Sequence, residues 1–411
     1  MFSRTHLPAS FQRLAWSNLV AQSAEQISLA AAPIVAVFVL GANASQTGLL
    51  QAAQTLPFLL LAIPLGVWAD RHSRRRLMVG GEICRVIAML SVLCLAATQL
   101  LSLPLLALLG FIGATGTLAY SVAAPSLIPA LVPRPLLTAA NGRIELVRSI
   151  AYSAGPAAGG LMVGWVGAGW AYGVATGLSA FAVALLIGVD EPPRDAKPAR
   201  HFFTELKEGA HFAINDPLLR PIIATAAFFN IGFFTLQAVY VPYAVQHLRL
   251  SASTVGLTLA CNGVGMVCGA LATPRIMRKL VFGQAFAIGP LCGLLAAMTM
   301  AATLVVPSFW LACISYFLFG AGPILWTISS TTLRQAITPQ GMLGRLSAIN
   351  STTTYGARPL GALLGASVSM QFGMGASLIV AVIAFMVQAL LILRSPAVRL
   401  TALPDRIVLV P

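Results

Sequence analysis

Charge is scarce in this chain. Asp, Glu, Lys and Arg make up 9% of its 411 residues, and only 11 are acidic. Water-soluble domains carry about 25% charged residues, so there is too little polar surface to coat a soluble particle of this size. Cysteine pairs are lacking as well. Cys84, Cys94, Cys261, Cys268, Cys292 and Cys313 all fall inside apolar stretches and none forms a CxxC pair. That argues against a metal site or a disulfide framework and for small buried side chains. No GxxxxGKS or GxxxxGKT loop is present, so ATP hydrolysis is not expected. HExxH and GxSxG are absent too, and Gly263-Val264-Gly265 reads as helix packing, not as a dinucleotide loop. The chain is not expected to be an enzyme or to carry a cofactor.

What is present is apolar sequence: 58% hydrophobic residues at a mean hydropathy of +0.86. A bilayer core needs about 20 apolar residues per helix. On that measure about twelve spans are expected, at 14–40, 46–69, 76–99, 103–127, 139–166, 170–189, 220–246, 252–274, 282–306, 308–333, 343–370 and 372–394. The splits near 166–170 and 370–372 rest on Gly164, Gly167 and Gly169 and on Gly373 and Gly375. Arg4 and Arg13 precede the first run as in a signal peptide. The run continues to Leu40 with Glu25 at its centre, so an uncleaved first helix is expected.

The net charge of +14 is dispersed between apolar runs, so nucleic acid is not an expected partner. Most lysines and arginines fall in alternate loops, while the opposite loops hold Arg249 alone. The excess of basic residues marks the cytoplasmic side. This predicts a multi-pass protein of the bacterial inner membrane with both termini cytoplasmic.

The expected organisation is a six-helix bundle over 1–189, a cytoplasmic linker over 190–219, a second six-helix bundle over 220–394 and a tail over 395–411. Within the linker, Phe202, Phe203, Leu206, Ala210 and Ala213 share one helical face opposite Glu205, Lys207 and Glu208. Such a helix would lie on the inner membrane surface or serve as a solvated connector. The halves repeat: Gly66 and Gly269, Ala69 and Ala272, Arg75 and Arg278, Arg76 and Lys279, and Pro156 and Pro359 each stand 203 positions apart. Paired six-helix halves are a known transporter plan, with the site at their interface near the midplane.

Gly66-Val67-Trp68-Ala69-Asp70-Arg71-His72-Ser73-Arg74-Arg75-Arg76 resembles the loop 2–3 signature of the major facilitator superfamily. Ala151 to Gly160, with Gly155, Pro156, Gly159 and Gly160, resembles the fifth-helix signature of its proton-driven antiporters. Pro339 to Arg345 resembles the loop before helix eleven in the branch of enterobactin and macrolide exporters. The resemblance spans nearly the whole chain. It implies an all-α membrane fold of two pseudo-symmetric bundles and a secondary transporter driven by the proton gradient. Departures exist. Ala151 stands where the antiporter signature prefers Gly, and Leu106 to Tyr120 lacks the helix-four arginine of many drug antiporters. Thr273 stands where the repeat would place a second aspartate.

Several residues are candidates for the mechanism. Glu25 sits mid-span, where an ionised carboxylate is costly, so it is a candidate proton carrier. The alternative is a structural carboxylate paired with a buried arginine. Asn18, Gln22 and Gln26 share its helical stripe and would line a water-filled cavity. Arg358 lies mid-span in helix eleven beside Asn350 and Thr354. It needs a partner: Glu25, a backbone carbonyl or an anionic substrate. Asn230, Phe233, Gln237 and Tyr240 in helix seven and Trp326 in helix ten suit an amphipathic ligand, or else face lipid or core. Glu82 with Arg85 and Glu145 with Arg148 are spaced for ion pairs within a helix, structural or gating. By the resemblance, Gly66, Asp70, Arg71, Arg74 and Arg75 would form a latch to the facing half; topology alone is the other reading. Gly155, Pro156, Gly159 and Gly160 combine a kink with a small-residue surface. Gly263, Gly265 and Gly269 of helix eight are expected to match it.

The expected function is proton-coupled export of a small amphipathic molecule, a drug or siderophore, by a monomer. An importer or uniporter on the same scaffold, or a non-transporting membrane sensor or assembly partner, are the alternatives.

Overall fold

The computed structural model describes residues 7–133, 136–192, 202–338 and 342–401. Among these the chain is helical, with no strand. The first part holds α1 (Ala9–Phe38), α2 (Ala44–Leu60), α3 (Ala62–Arg71), α4 (Arg74–Ala97), α5 (Leu103–Leu131), α6 (Leu137–Trp165) and α7 (Ala168–Ile187). A short α8 (Phe202–Asn215) follows. Then come α9 (Leu219–Gln246), α10 (Ala252–Lys279), α11 (Phe282–Ala302), α12 (Phe309–Ile337), α13 (Leu343–Phe372) and α14 (Met374–Leu393).

Nine of these helices, among the described residues, are long and apolar enough to cross a bilayer. They fall on nine of the expected spans. The other three spans coincide with α2 and α3, with α6 and with α13. The second span is divided because Pro64 has no N–H for the carbonyl one turn back, and the helix breaks at Leu61. The splits near 166–170 and 370–372 are sharp turns: Gly167 has φ +92° and Gly373 φ +83°, a backbone region that glycine enters without a Cβ clash.

The outside of the molecule is apolar. Trp16, Trp68, Trp165, Trp170 and Trp310 are each more than half exposed, as interfacial anchors of a membrane protein are. Interior proline recurs along the helices, at Pro33, Pro57, Pro156, Pro242, Pro290, Pro323 and Pro359 among others. Membrane helices tolerate this because neighbouring groups satisfy the freed carbonyls.

The chain forms two compact units. One contains α1–α7 and residues 252–260 of α10; the other contains α8, α9, the rest of α10 and α11–α14. In the first, α1 packs on α6 and α7, and α4 packs on α5 and α7. In the second, α9 packs on α13 and α14, and α11 packs on α12 and α14. One pairing scheme therefore serves both units, with α9, α11, α12, α13 and α14 in the places of α1, α4, α5, α6 and α7.

Helix α8 rests on the second unit. Ala213 is buried with Leu219, Ile222, Phe282, Phe286 and Leu346 of the second unit, and Glu208 pairs with Arg345 at the start of α13. Its C-terminal half is docked on its own unit because Gly209 leaves room for the Arg345 backbone and Cβ. The side chains of Phe202, Phe203, Glu205 and Leu206 lie outside the described residues.

Close approach of helices depends on missing side chains. A Cβ on Gly116 of α5 would stand 2.2 Å from the Gly81 carbonyl oxygen of α4. Gly116→Ala is therefore expected to force α4 and α5 apart at a cost of about 1–3 kcal/mol. A Cβ on Gly177 of α7 meets nothing within 4 Å, so Gly177→Ala should melt at or slightly above wild type. Thermal melting in detergent checks both; equal melting of the two variants contradicts the contact.

Candidate functional site

The first unit encloses a charge cluster. Arg85 projects from the middle of α4, and its guanidinium is hydrogen-bonded by three other helices and its own. Its Nε donates to Ser179 Oγ of α7 at 3.1 Å and its Nη1 to Thr117 Oγ1 of α5 at 3.0 Å. Its Nη2 donates to the Ala21 carbonyl of α1 at 2.9 Å and to both carboxylate oxygens of Glu82, Oε2 at 2.6 Å. Glu25 Oε2 of α1 lies 3.9 Å from Nη1. The pair expected inside α4 therefore forms and takes in Glu25 as a third member. Side-chain exposure is 3% for Arg85, 0% for Glu82 and 16% for Glu25, so Glu25 is the least enclosed of the three. Gly81 and Gly116 let α4 and α5 meet one turn from Arg85, which brings Thr117 within reach.

The polar stripe of α1 is partly interior. Asn18 and Gln26 are buried, while Gln22 and Glu25 are half-buried. The side-chain oxygens of Asn18 and Gln22 have no partner. Tyr120 of α5 donates to Ser17 Oγ at 3.4 Å.

The glycines of the fifth-helix motif face two ways. Gly155 and Gly159 press on α1: a Cβ would stand 2.3 Å from Gln26 Cβ at the first and 2.6 Å from the Ile27 oxygen at the second. Gly160 meets Gly256, and Gly164 meets Ser253, within the same unit. This corrects the expected match with Gly265 and Gly269. Those two pack instead on Phe317 and Ala321 of α12, because they lie further along α10 than the stretch that reaches α6.

Outside the spans, the loop 2–3 arginines bind the end of α7. Ser73 caps α4 by accepting from Arg76 N and donates to Glu191. Glu191 also accepts from Arg74 N at 3.0 Å and Arg75 N at 3.2 Å. The Arg75 guanidinium donates to the Val189 carbonyl at 2.9 Å, and Arg13 donates to the Gly188 carbonyl. Partial burial pushes the Glu191 carboxyl up. The bonds from Ser73, Arg74 and Arg75 and the charge of Arg74 outweigh it and hold the group below the ordinary carboxylate value. Sequence reasoning placed Glu191 in a linker; the signal that finds it is the row of free N–H groups at the start of α4. The side chains of Asp70, Arg71 and Glu145 lie outside the described residues. Arg148 sits 5.9 Å over the ring of Tyr152.

In the second unit, Arg358 of α13 donates to Asn230 Oδ1 of α9 at 3.3 Å. Asn230 is oriented by its own amide bond to the Ala226 carbonyl. The guanidinium lies 4.5 Å over Tyr355 and 5.3 Å from the centre of Phe234, contacts that stabilise a partly desolvated cation. Tyr355 was not among the expected site residues; its spacing from Arg358 along α13 is the signal.

The aromatic residues of α9 divide. Tyr240 is fully buried, edge-on to Tyr316 with ring centres 4.6 Å apart, so it packs the interior and does not line a cavity. Phe233 contacts Phe229, Phe234 and Phe319, and Gln237 accepts from Tyr316 at 2.6 Å. Trp326 leans on Phe286 at 4.7 Å. Phe233, Gln237, Trp326, Asn350 and Thr354 stay half-buried. Among the described residues, no group of three His, Cys, Asp or Glu side chains is arranged to hold a metal.

A family model described as transmembrane secretion effector matches residues 10–405. The enterobactin exporter EntS of Escherichia coli O1:K1 / APEC and that of Shigella boydii serotype 18 are each 26% identical over 304 residues, covering 73% of this chain and 71% of theirs. Among solved structures, the inward-facing bacterial homologue of the iron transporter ferroportin matches with TM-score 0.74 at 17% identity, over 94% of this chain and 98% of the other. A D-xylose-proton symporter matches with TM-score 0.73 at 13% identity, over 95% and 98%.

Glu191 supplies a test of the loop 2–3 geometry. Its folded-state value lies below the unfolded one, so its contribution is complete above the unfolded value and is lost as pH falls through the folded one. Glu191→Gln is expected to cost about 1 kcal/mol at neutral pH, read as a lower melting temperature. The gap from wild type should close in acid. A gap that persists unchanged at low pH contradicts the assignment.

Proposed function

The chain belongs to the transmembrane secretion effector family of major facilitator transporters, and on that premise we propose that it exports a small amphipathic molecule in exchange for protons. It is a multi-pass membrane transporter of a small-molecule substrate. Export is favoured over import by the family description and by relatives that are themselves named exporters. The fold is neutral on direction, since it is shared with a symporter.

The observation that carries proton coupling is Glu25. It is a carboxylate on a membrane helix with 16% of its side chain exposed and a guanidinium at 3.9 Å. An acidic side chain held inside a membrane helix and near a guanidinium is suited to take up and give back a proton as the protein changes state. In the proposed cycle, Glu25 takes a proton when the protein is open to the outside, and substrate leaves. Open to the cytoplasm, Glu25 gives up the proton as substrate binds. The proton gradient is the energy source, and no cofactor takes part. The Asn230, Phe234, Tyr355 and Arg358 cluster suits an aromatic or anionic part of the substrate, as a siderophore-like or drug-like compound would present. The setting we assign is the bacterial inner membrane, with cytoplasmic termini and a working monomer. The six-helix bundles over 1–189 and 220–394, and the 190–219 linker and 395–411 tail, remain our assignment of its parts.

The test is transport by purified protein in vesicles under an imposed pH gradient, with enterobactin as the first cargo. Wild type should move cargo against the proton flow. Glu25→Gln should lose at least about tenfold of the gradient-driven rate, equal to 1.4 kcal/mol, while cargo-for-cargo exchange without a gradient persists. Wild-type driven rates in Glu25→Gln refute the assignment, and cargo moving with the protons makes the protein an importer.

A further inference from the structure

All six cysteines are free thiols, and two of them meet in the second unit. Helices α10 and α12 run side by side there with their backbones in contact. A Cβ on Gly265 would collide with the Phe317 carbonyl, and one on Gly320 with the Asn262 carbonyl. A Cβ on Gly269 would stand 2.5 Å from the Ala321 oxygen, and the Asn262 amide donates to the Tyr316 carbonyl at 3.4 Å. Gly265 and Phe317, like Gly269 and Ala321, are 52 positions apart. Cys261 and Cys313 are separated by the same 52, one helical turn earlier along the same contact, and the two thiols are hydrogen-bonding neighbours.

The surroundings decide what such a pair takes. Cys313 is buried and Cys261 half-buried. Among the described residues, no third His, Cys, Asp or Glu completes a metal-binding group with them. Zinc is therefore a poor fit, since it requires four ligands with its sulfurs ionised, and bare charge between apolar helices is costly. A trivalent arsenical requires two sulfurs and no charge. Its As=O group condenses with two thiols: both S–H bonds break, two As–S bonds form, and the oxygen leaves as water. Arsenic stays trivalent, and every species is neutral. Because the packed glycines hold the second thiol beside the first, the second bond closes at high effective concentration.

We propose that Cys261 and Cys313 form a dithiol site that captures a small, neutral trivalent arsenical and bridges α10 to α12 through it. The site stands apart from the Arg85 cluster and does not depend on the reading of Glu25 as the proton carrier. Cys268, two turns further along α10, is exposed and serves as the control on the same helix.

The probe is phenylarsine oxide, added to the full chain in vesicles. An excess of monothiol then strips arsenic held by a single sulfur, and the arsenic left on the chain is read by intact-protein mass spectrometry. Wild type should keep a single arsenic, released by the dithiol 2,3-dimercaptopropanol. Cys261→Ser and Cys313→Ser should each keep at least about a hundredfold less, the loss expected when a two-point attachment becomes one. Cys268→Ser should behave as wild type. Should Cys313→Ser fail to fold because it buries a hydroxyl, Cys313→Ala takes its place and must show the same loss. Wild type that keeps no arsenic overturns the proposal. So does retention in either single variant, or a loss in Cys268→Ser, which places the arsenic on other sulfurs.

Discussion

A guanidinium shut away from water must find its acceptors within the protein, because an unpaired buried charge costs several kcal/mol. Arg85 meets that demand with Glu82 on its own helix and with Ser179, Thr117 and Ala21 on three others. The packing of the first unit follows from it. Helices α1, α4, α5 and α7 must stand at distances and rotations that deliver all these acceptors at once, and Glu25 is thereby carried to the edge of the cluster.

Small residues make those distances possible. In lipid there is no hydrophobic gain from bringing helices together, so close backbone contact and hydrogen bonds have to do it. Gly81 against Gly116, Gly155 and Gly159 against α1, and Gly160 against Gly256 are contacts in which a Cβ would collide with main chain or Cβ atoms. The second unit repeats the principle with Gly265 and Gly269 against α12. There, aromatic faces and the Asn230 amide support an arginine.

The charges outside the spans obey ordinary aqueous rules. Arg13 and Arg75 bond the carbonyls that end α7, and Glu191 occupies the amide-rich start of α4. The basic loop after α3 thus ties the end of α7 to the start of α4. These arginines hold helix ends together, so charge counting alone does not account for them.

By itself the sequence determined the membrane class, the positions of the helices, the internal repeat and the family, because apolar run length and turn glycines such as Gly167 and Gly373 are local properties. It also singled out Glu25, Glu82, Arg85 and Arg358, since charge inside an apolar run is visible without coordinates. Only the tertiary structure decided who answers to whom. It joined Glu25 to the pair in α4, gave Arg358 its bed of Asn230, Phe234 and Tyr355, moved Tyr240 from a cavity wall into the core, and matched Gly160 with Gly256 instead of with Gly265 and Gly269. The physical reason is that these contacts join residues on different helices. They depend on helix rotation and spacing, and the periodicity of one helix carries no information about the face its neighbour presents.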